Sequence, residues 1–341
     1  MGLRKLAIAG VAAALALAAG CAGGGSGSGG GEVRLGIGGQ PLLVFMPTTL
    51  ADRLGYYREE GLNVRLEDLG SGAKALQALQ GGSVDVVSGY YDHTIQMQAK
   101  NRPTTAFVGM LRYPSFVFAV SPKASKPINS FADLKGAKVG VTSPGSSTDF
   151  FLKNMLVRHG LAATDAAPQA IGGDASAVAA MENGQVDAAV MLDPAYSTLV
   201  KRIGGQNVKV LSDTRTLDGV QRDLGVTSYP ASALYSGSSW LTDNPETARK
   251  LARAIKRALD FIHSHSGAEV AAKMPPEYSA GDAAIYAQAI EAAKSAFSPD
   301  GRISPEGAEA VYGVLRQFTP EIANAKIDVS KTFTNDYVPA N

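Results

Sequence analysis

The stretch Val139-Gly140-Val141-Thr142-Ser143-Pro144-Gly145-Ser146-Ser147-Thr148-Asp149-Phe150-Phe151 packs a strand, a turn and a helix start into thirteen residues. Val139 and Val141 belong to a short apolar run from Lys138. Pro144-Gly145 breaks it. Ser146 and Asp149 then form a cap for a helix that runs to His159 and stops at Gly160. Free N–H groups at a helix N-terminus, backed by the helix dipole, favour an anion. The hydroxyls of Ser143, Ser146, Ser147 and Thr148 and the backbone at Gly145 are candidate donors. The glycine and lysine spacing of a nucleotide-binding P-loop is missing. The plain alternative is a well-capped turn with no ligand.

On both sides of this unit, strand and helix signals alternate, which is the signature of an α/β fold. Upstream, strands are expected at Val33–Ile37, Leu62–Leu69, Val84–Val87 and Thr105–Met110, separated by helices. Downstream, strands at Gln169–Ile171, Val186–Met191 and Val208–Leu211 alternate with helices in the same plan. The two similar sets suggest two lobes. The tail is helical, with Asn244-Pro245-Glu246 as a cap, a first-turn proline and an acid.

Open α/β sheets take ligands at the carboxyl ends of their strands. Three further turns stand at such ends: Gly39-Gln40-Pro41, Gly70-Ser71-Gly72 and Ser88-Gly89-Tyr90-Tyr91. Gln40, Ser71, Gly72, Ser88 and Gly89 are therefore site candidates. Tyr90, Tyr91 and Phe45 would cover an apolar part of the ligand. Arg112 either neutralises an acid group or is simply solvated. Asp193 either reaches the cleft or caps a helix. His93 reads as a polar helix end. No Ser-His-Asp arrangement, carboxylate pair or metal-ligand cluster is marked, so no catalytic residue, metal or cofactor is expected.

The chain has 341 residues, 45% hydrophobic and 18% charged, with a net charge of +1. That is ordinary for a globular protein with a sizeable core, and about 320 residues allow two domains. No basic block points to nucleic acid. The lone cysteine, Cys21, follows a basic start (Arg4, Lys5), an apolar run from Leu6 to Ala19, and Gly20. These are the parts of an export signal. Leu17-Ala18-Ala19-Gly20-Cys21 resembles a lipobox, with Ala18 where leucine is usual. Residues 1–20 are thus expected as a lipoprotein signal and Cys21 as the lipidated residue. Residues 21–31 would form a Gly/Ser leash spanning about 17 Å.

Leu54-Gly55-Tyr56-Tyr57-Arg58-Glu59-Glu60-Gly61-Leu62, then Gly70-Ser71-Gly72, Gly82-Ser83-Val84-Asp85-Val86-Val87-Ser88-Gly89 and Asp133-Leu134-Lys135-Gly136-Ala137-Lys138-Val139-Gly140-Val141, together with the serine-rich loop, carry a family resemblance. As a set they resemble the nitrate/sulfonate/taurine-type (NMT1/THI5-like) substrate-binding proteins of ABC importers. The resemblance implies a two-lobed, type II periplasmic-binding-protein fold. Lobe 1 would comprise 32–117 and 233–341, and lobe 2 118–232, with crossings near Phe116–Val120 and Tyr229–Tyr235. It implies a monomeric receptor, lipid-anchored in the periplasm or at the cell surface, that closes on a small anionic organic solute (a sulfonate, carboxylate or aromatic acid). Its partners would be permease and ATPase subunits. The family's pyrimidine-synthase branch depends on cysteines, and Cys21 is committed to lipid, so no enzymatic step is expected. The alternatives are an exported enzyme on the same scaffold, a binder of thiamine-pyrimidine precursors, and a surface interaction protein with a vestigial cleft.

Overall fold

The computed structural model describes residues 31–279 and 281–340. Cys21, the export signal and the leash as far as Gly30 lie outside the described residues. Ten strands occur in chain order: β1 Val33–Ile37, β2 Val64–Asp68, β3 Val86–Tyr90, β4 Thr104–Gly109, β5 Val117–Val120, β6 Lys138–Val141, β7 Ala167–Ala170, β8 Ala188–Met191, β9 Lys209–Asp213 and β10 Ser232–Gly237. They form two five-stranded sheets of matching plan, β2-β1-β3-β10-β4 and β7-β6-β8-β5-β9.

In each sheet the pairs among the first three strands are parallel, and the fourth strand runs antiparallel to both neighbours. Helices cover the sheets, so the inner strands are buried and apolar rather than alternating. Every residue of β3, β4, β5 and β8 is buried, whereas the edge strands β2 and β7 are partly exposed.

The chain passes between the sheets twice, through 110–116 and again after β9, by way of the helix Leu217–Leu224 and residues 225–231. The crossings therefore lie a few residues before the ranges expected from sequence. Val117 pairs with Met191 and Asp213, and Ser232 pairs with Tyr90, so both ranges are mostly ladder. The apolar run continues from crossing into strand without a breaker, and nothing in it marks the junction. The crossings are bonded side by side: Leu111 N–H donates to Ser232 O at 3.2 Å, and Ala231 N–H to Leu111 O at 3.0 Å.

The helix Leu217–Leu224 escaped the sequence reading, although Thr216 caps it and Gly225 ends it in the left-handed region at φ +72°. Helix Pro245–Ser264 was expected and buries one stripe: Ala248, Leu251, Ala252, Ile255, Leu259 and Ile262. Asn244 does not cap it through its side chain. Its Nδ2 donates instead to Trp240 O at 2.9 Å, closing the preceding helix, Ser238–Asp243. The tail ends by lying along β4, with Ala106 N–H donating to Thr332 O and Thr334 N–H to Ala106 O.

Gly89 shows how tightly this core is set. A Cβ there would meet the buried Tyr235 ring and hydroxyl at 2.8 Å. Gly89→Ala is expected to destabilise the protein by about 1–3 kcal/mol through overpacking. Thermal denaturation should show a drop of several degrees, and an unchanged midpoint would mean that Tyr235 can move aside.

Candidate functional site

The carboxyl ends of both sheets' strands meet along one seam. From the first sheet come the turns after β1, β2 and β3; from the second come those after β6, β8 and β9. The convergence expected from sequence is present. Ser143 Oγ donates to Ser71 Oγ at 3.0 Å, Ser147 Oγ to Asp92 Oδ1 at 2.7 Å, and Leu43 N–H to Asp193 O at 3.0 Å. The rings of His93 and Phe150 meet edge-on at 5.9 Å.

Within the serine loop the hydroxyls divide into two roles. Ser146 Oγ donates to Ser143 O at 2.6 Å and accepts Ser143 N–H at 3.2 Å. Thr148 Oγ1 accepts Thr142 N–H at 3.0 Å. Gly145, at φ +84°, donates its N–H to Asp149 Oδ2 at 2.8 Å, and the same oxygen meets Lys153 Nζ at 2.8 Å. Ser146, Thr148 and Gly145 therefore hold the loop in shape. Ser143 and Ser147 carry the bonds across the seam.

The niche beside Ser147 is filled from within. Asp92, 3% exposed, sets its carboxyl against the first turn of the helix Ser147–Arg158. Burial pushes Asp92 up to about 7, although the Ser147 hydroxyl opposes the rise. His93, expected to be a polar helix end, is fully buried, and burial pushes it down to about 4. Its Nδ1 meets Tyr235 Oη at 3.2 Å and its Nε2 has no partner. Gly72 is small for a reason: a Cβ there would meet the His93 ring at 2.9 Å.

Several candidates stand elsewhere or do other work. Tyr90 Oη donates to Pro114 O at 2.6 Å, and its ring stacks on Phe116 at 5.1 Å and meets Phe45 edge-on at 5.9 Å. This cluster pins the first crossing. Ser88 Oγ pairs with Thr48 Oγ1 at 2.8 Å inside the first sheet's core. Tyr91 corrects the expectation of an aromatic cover: it points away from the seam, bonded to Thr332 and edge-on to Phe333. Adjacent residues at a strand end face opposite sides, so the Tyr90-Tyr91 pair could not serve one cleft. Arg112 is exposed, bonded to Ser295 O and lying 5.1 Å over the Tyr113 ring. Gln40 is half-buried; its N–H reaches Asp68 Oδ1 at 3.0 Å and its Nε2 reaches Thr49 Oγ1 at 3.3 Å.

Beside the crossings the seam encloses a cavity of about 200 Å³. Leu43, Val44, Leu111, Ala292, Ala296 and Phe297 form its apolar walls; Ser115, Asp193, Asp213, Arg215 and Thr216 form its polar edge. Asp193 thus reaches the cleft. It also caps: Oδ1 accepts Ser197 N–H at 3.0 Å and Ser197 Oγ at 2.6 Å. Arg215 was missed, yet its position just after a strand was the same cue that singled out the serines. Its Nε and Nη2 bond Asp213 at 2.9 and 2.6 Å, and Nη1 bonds Asp193 at 3.1 Å. Burial acts to lower Arg215, but these bonds and charges outweigh it and hold the guanidinium charged, above its usual range. Among the described residues Arg215 is the only basic side chain on this cavity, and it faces two carboxylates.

Two like α/β sheets meeting at their strand ends, with a cavity at the joint, define the two-lobed periplasmic-binding-protein fold. The chain belongs to the NMT1/THI5-like family, whose sequence model matches residues 43–268. A solved structure from Bordetella bronchiseptica RB50 is 39% identical, with a TM-score of 0.85, over 90% of this chain and 95% of that one. The alkanesulfonate-binding protein SsuA from Xanthomonas axonopodis pv. citri, bound to MOPS, shares the fold at a TM-score of 0.70 and 19% identity, over 89% and 98%. A 4-amino-5-hydroxymethyl-2-methylpyrimidine phosphate synthase of Aspergillus parasiticus is 28% identical over 224 residues. That match spans 63% of this chain and 62% of the synthase. This match to a named enzyme overturns the expectation, drawn from the lone cysteine, that no enzymatic step occurs.

The buried pair gives pH slopes of opposite sign. Asp92, raised on folding, contributes stability that is complete below 3.8 and lost as pH rises to about 7. His93, lowered on folding, contributes stability present above 6.5 and lost as pH falls towards about 4. Asp92→Asn should leave stability rising from pH 4 to 6.5 by about 1–3 kcal/mol, and His93→Gln should leave it falling, at about 1.4 kcal/mol per unit. Denaturant titrations across that range check this. Identical pH profiles for both variants and the native protein would contradict the burial of both groups.

Proposed function

We propose that the protein is an extracytoplasmic receptor of an ABC importer that closes its lobes on a small organic solute. The observation that carries this reading is the cavity walled by both sheets, with Leu43 and Val44 on one side and Asp213, Arg215 and Thr216 on the other. The seam bonds Ser71–Ser143, Asp92–Ser147 and Leu43–Asp193 would break on opening and form on closing. In this reading 32–117 with 233–341 is one lobe and 118–232 the other. Cys21 carries the lipid anchor, and the monomeric receptor delivers its solute to permease and ATPase subunits. The fold shared with the alkanesulfonate-binding protein over nearly all of both chains supports capture. A second reading, chemistry in the same cleft, is favoured by the synthase relative and by the unpartnered Nε2 of the buried His93.

Two measurements separate these readings. Native mass spectrometry of the purified chain should show a bound small molecule released intact on denaturation. X-ray scattering should then show a smaller radius of gyration with that molecule than without it. Identical scattering curves, together with time-dependent conversion of the molecule by the protein, would replace capture with catalysis.

A further inference from the structure

We infer that the cavity at the joint takes an uncharged or singly cationic solute of about one six-membered ring, bearing hydrogen-bond donors, and disfavours carboxylates and sulfonates. This rests on the receptor reading and makes it specific. Size is the first argument. A dry cavity of about 150 Å³ holds benzene, so about 200 Å³ holds one ring with a few substituent atoms, and a more open hollow of about 680 Å³ continues past Asp193, Arg215 and Ala292. The Phe297 ring and the side chains of Leu43, Val44 and Leu111 offer such a ring apolar contact.

Charge is the second argument. The one basic group on the cavity is shared by two carboxylates, leaving a surplus of one negative charge. Neither carboxylate is free to leave. Asp213 Oδ1 also accepts the Arg215 backbone N–H at 3.0 Å, and Asp193 Oδ1 is held by Ser197. An incoming anion would meet that surplus at close range, where like charges repel. A donor-bearing neutral or cationic group would be drawn to the same oxygens.

The third argument is independent of the cavity. A second anion-accepting place on the seam, the first turn of the helix Ser147–Arg158, already faces the Asp92 carboxyl. These two places are thus taken by the protein's own acids, while Lys74 lines a separate hollow of about 460 Å³ beside Gly70 and Ser143. This proposal departs from the anionic solute expected from sequence.

Benzamidine, benzamide and benzoate share one ring and differ in charge, so they serve as probes. Calorimetry and thermal shift with the full mature chain at pH 7 should show benzamidine or benzamide binding at least tenfold more tightly than benzoate. Leu43→Trp, which fills the cavity, should abolish that binding. Asp213→Asn uncovers part of Arg215 and should shift the preference towards benzoate by about tenfold. Because the side chain keeps its shape, a circular dichroism spectrum like the native one verifies the fold. Benzoate binding as tightly as benzamidine, or no probe binding at millimolar concentration, overturns the solute class. A copurifying solute that contracts the molecule would still leave the receptor reading standing. Probe binding that survives Leu43→Trp also overturns the proposal, since the site would then lie elsewhere.

Discussion

Each sheet is completed by a strand that arrives from the other. β5 and β10 are the first strands after the two crossings, and each inserts antiparallel between two neighbours of its new sheet. Without β10, β3 and β4 would present unpaired backbone groups inside the first sheet; without β5, β8 and β9 would do the same in the second. Buried N–H and C=O groups must be paired, so neither sheet is whole unless both crossings are made. This places the joint, and everything that meets at it, under the control of two short segments.

The joint accordingly carries the structure's tension. Ser115, in the first crossing, holds φ at +58°, a region that non-glycine residues seldom occupy. It is bracketed by Pro114 O, which accepts the Tyr90 hydroxyl, and by Phe116, whose N–H and C=O both bond Thr214. Ser115 also lines the cavity. One of the two non-glycine residues with positive φ among the described residues therefore sits where the crossing, the second sheet and the cavity coincide. That is where a change of lobe angle would be absorbed.

The alternation of strands and helices, and the gathering of turns at strand ends, were legible because they follow from local patterns: apolar runs, glycine breaks and caps. The serine loop's helix start, the first-turn proline of Pro245–Ser264 and the helix after Asp193 all stand where their signals put them. What failed was facing. Tyr90 and Tyr91 are adjacent and chemically alike, yet one pins a crossing and the other fills a core. Arg112 and Arg215 are both arginines just beyond strands, yet only Arg215 reaches the cavity. Side-chain direction at a strand end depends on a twist of one residue, and no composition records it.

The charge that a site favours is the least legible quantity in a sequence, because it depends on pairing rather than on presence. Serines, glycines and a helix start do favour an anion when they stand alone. Here Asp92 comes from the far side of the seam, fifty-five positions away in sequence, to occupy that start. Burial leaves it protonated or ionised in comparable measure near neutral pH. A carboxyl so placed stands where an acidic ligand would, and it accepts the Ser147 hydroxyl across the seam. The donors that would mark an anion site in a lone sheet are here spent on bonds between the two sheets' turns. In the proposed receptor the choice of solute would fall to the cavity beside the crossings, where two carboxylates outnumber one guanidinium.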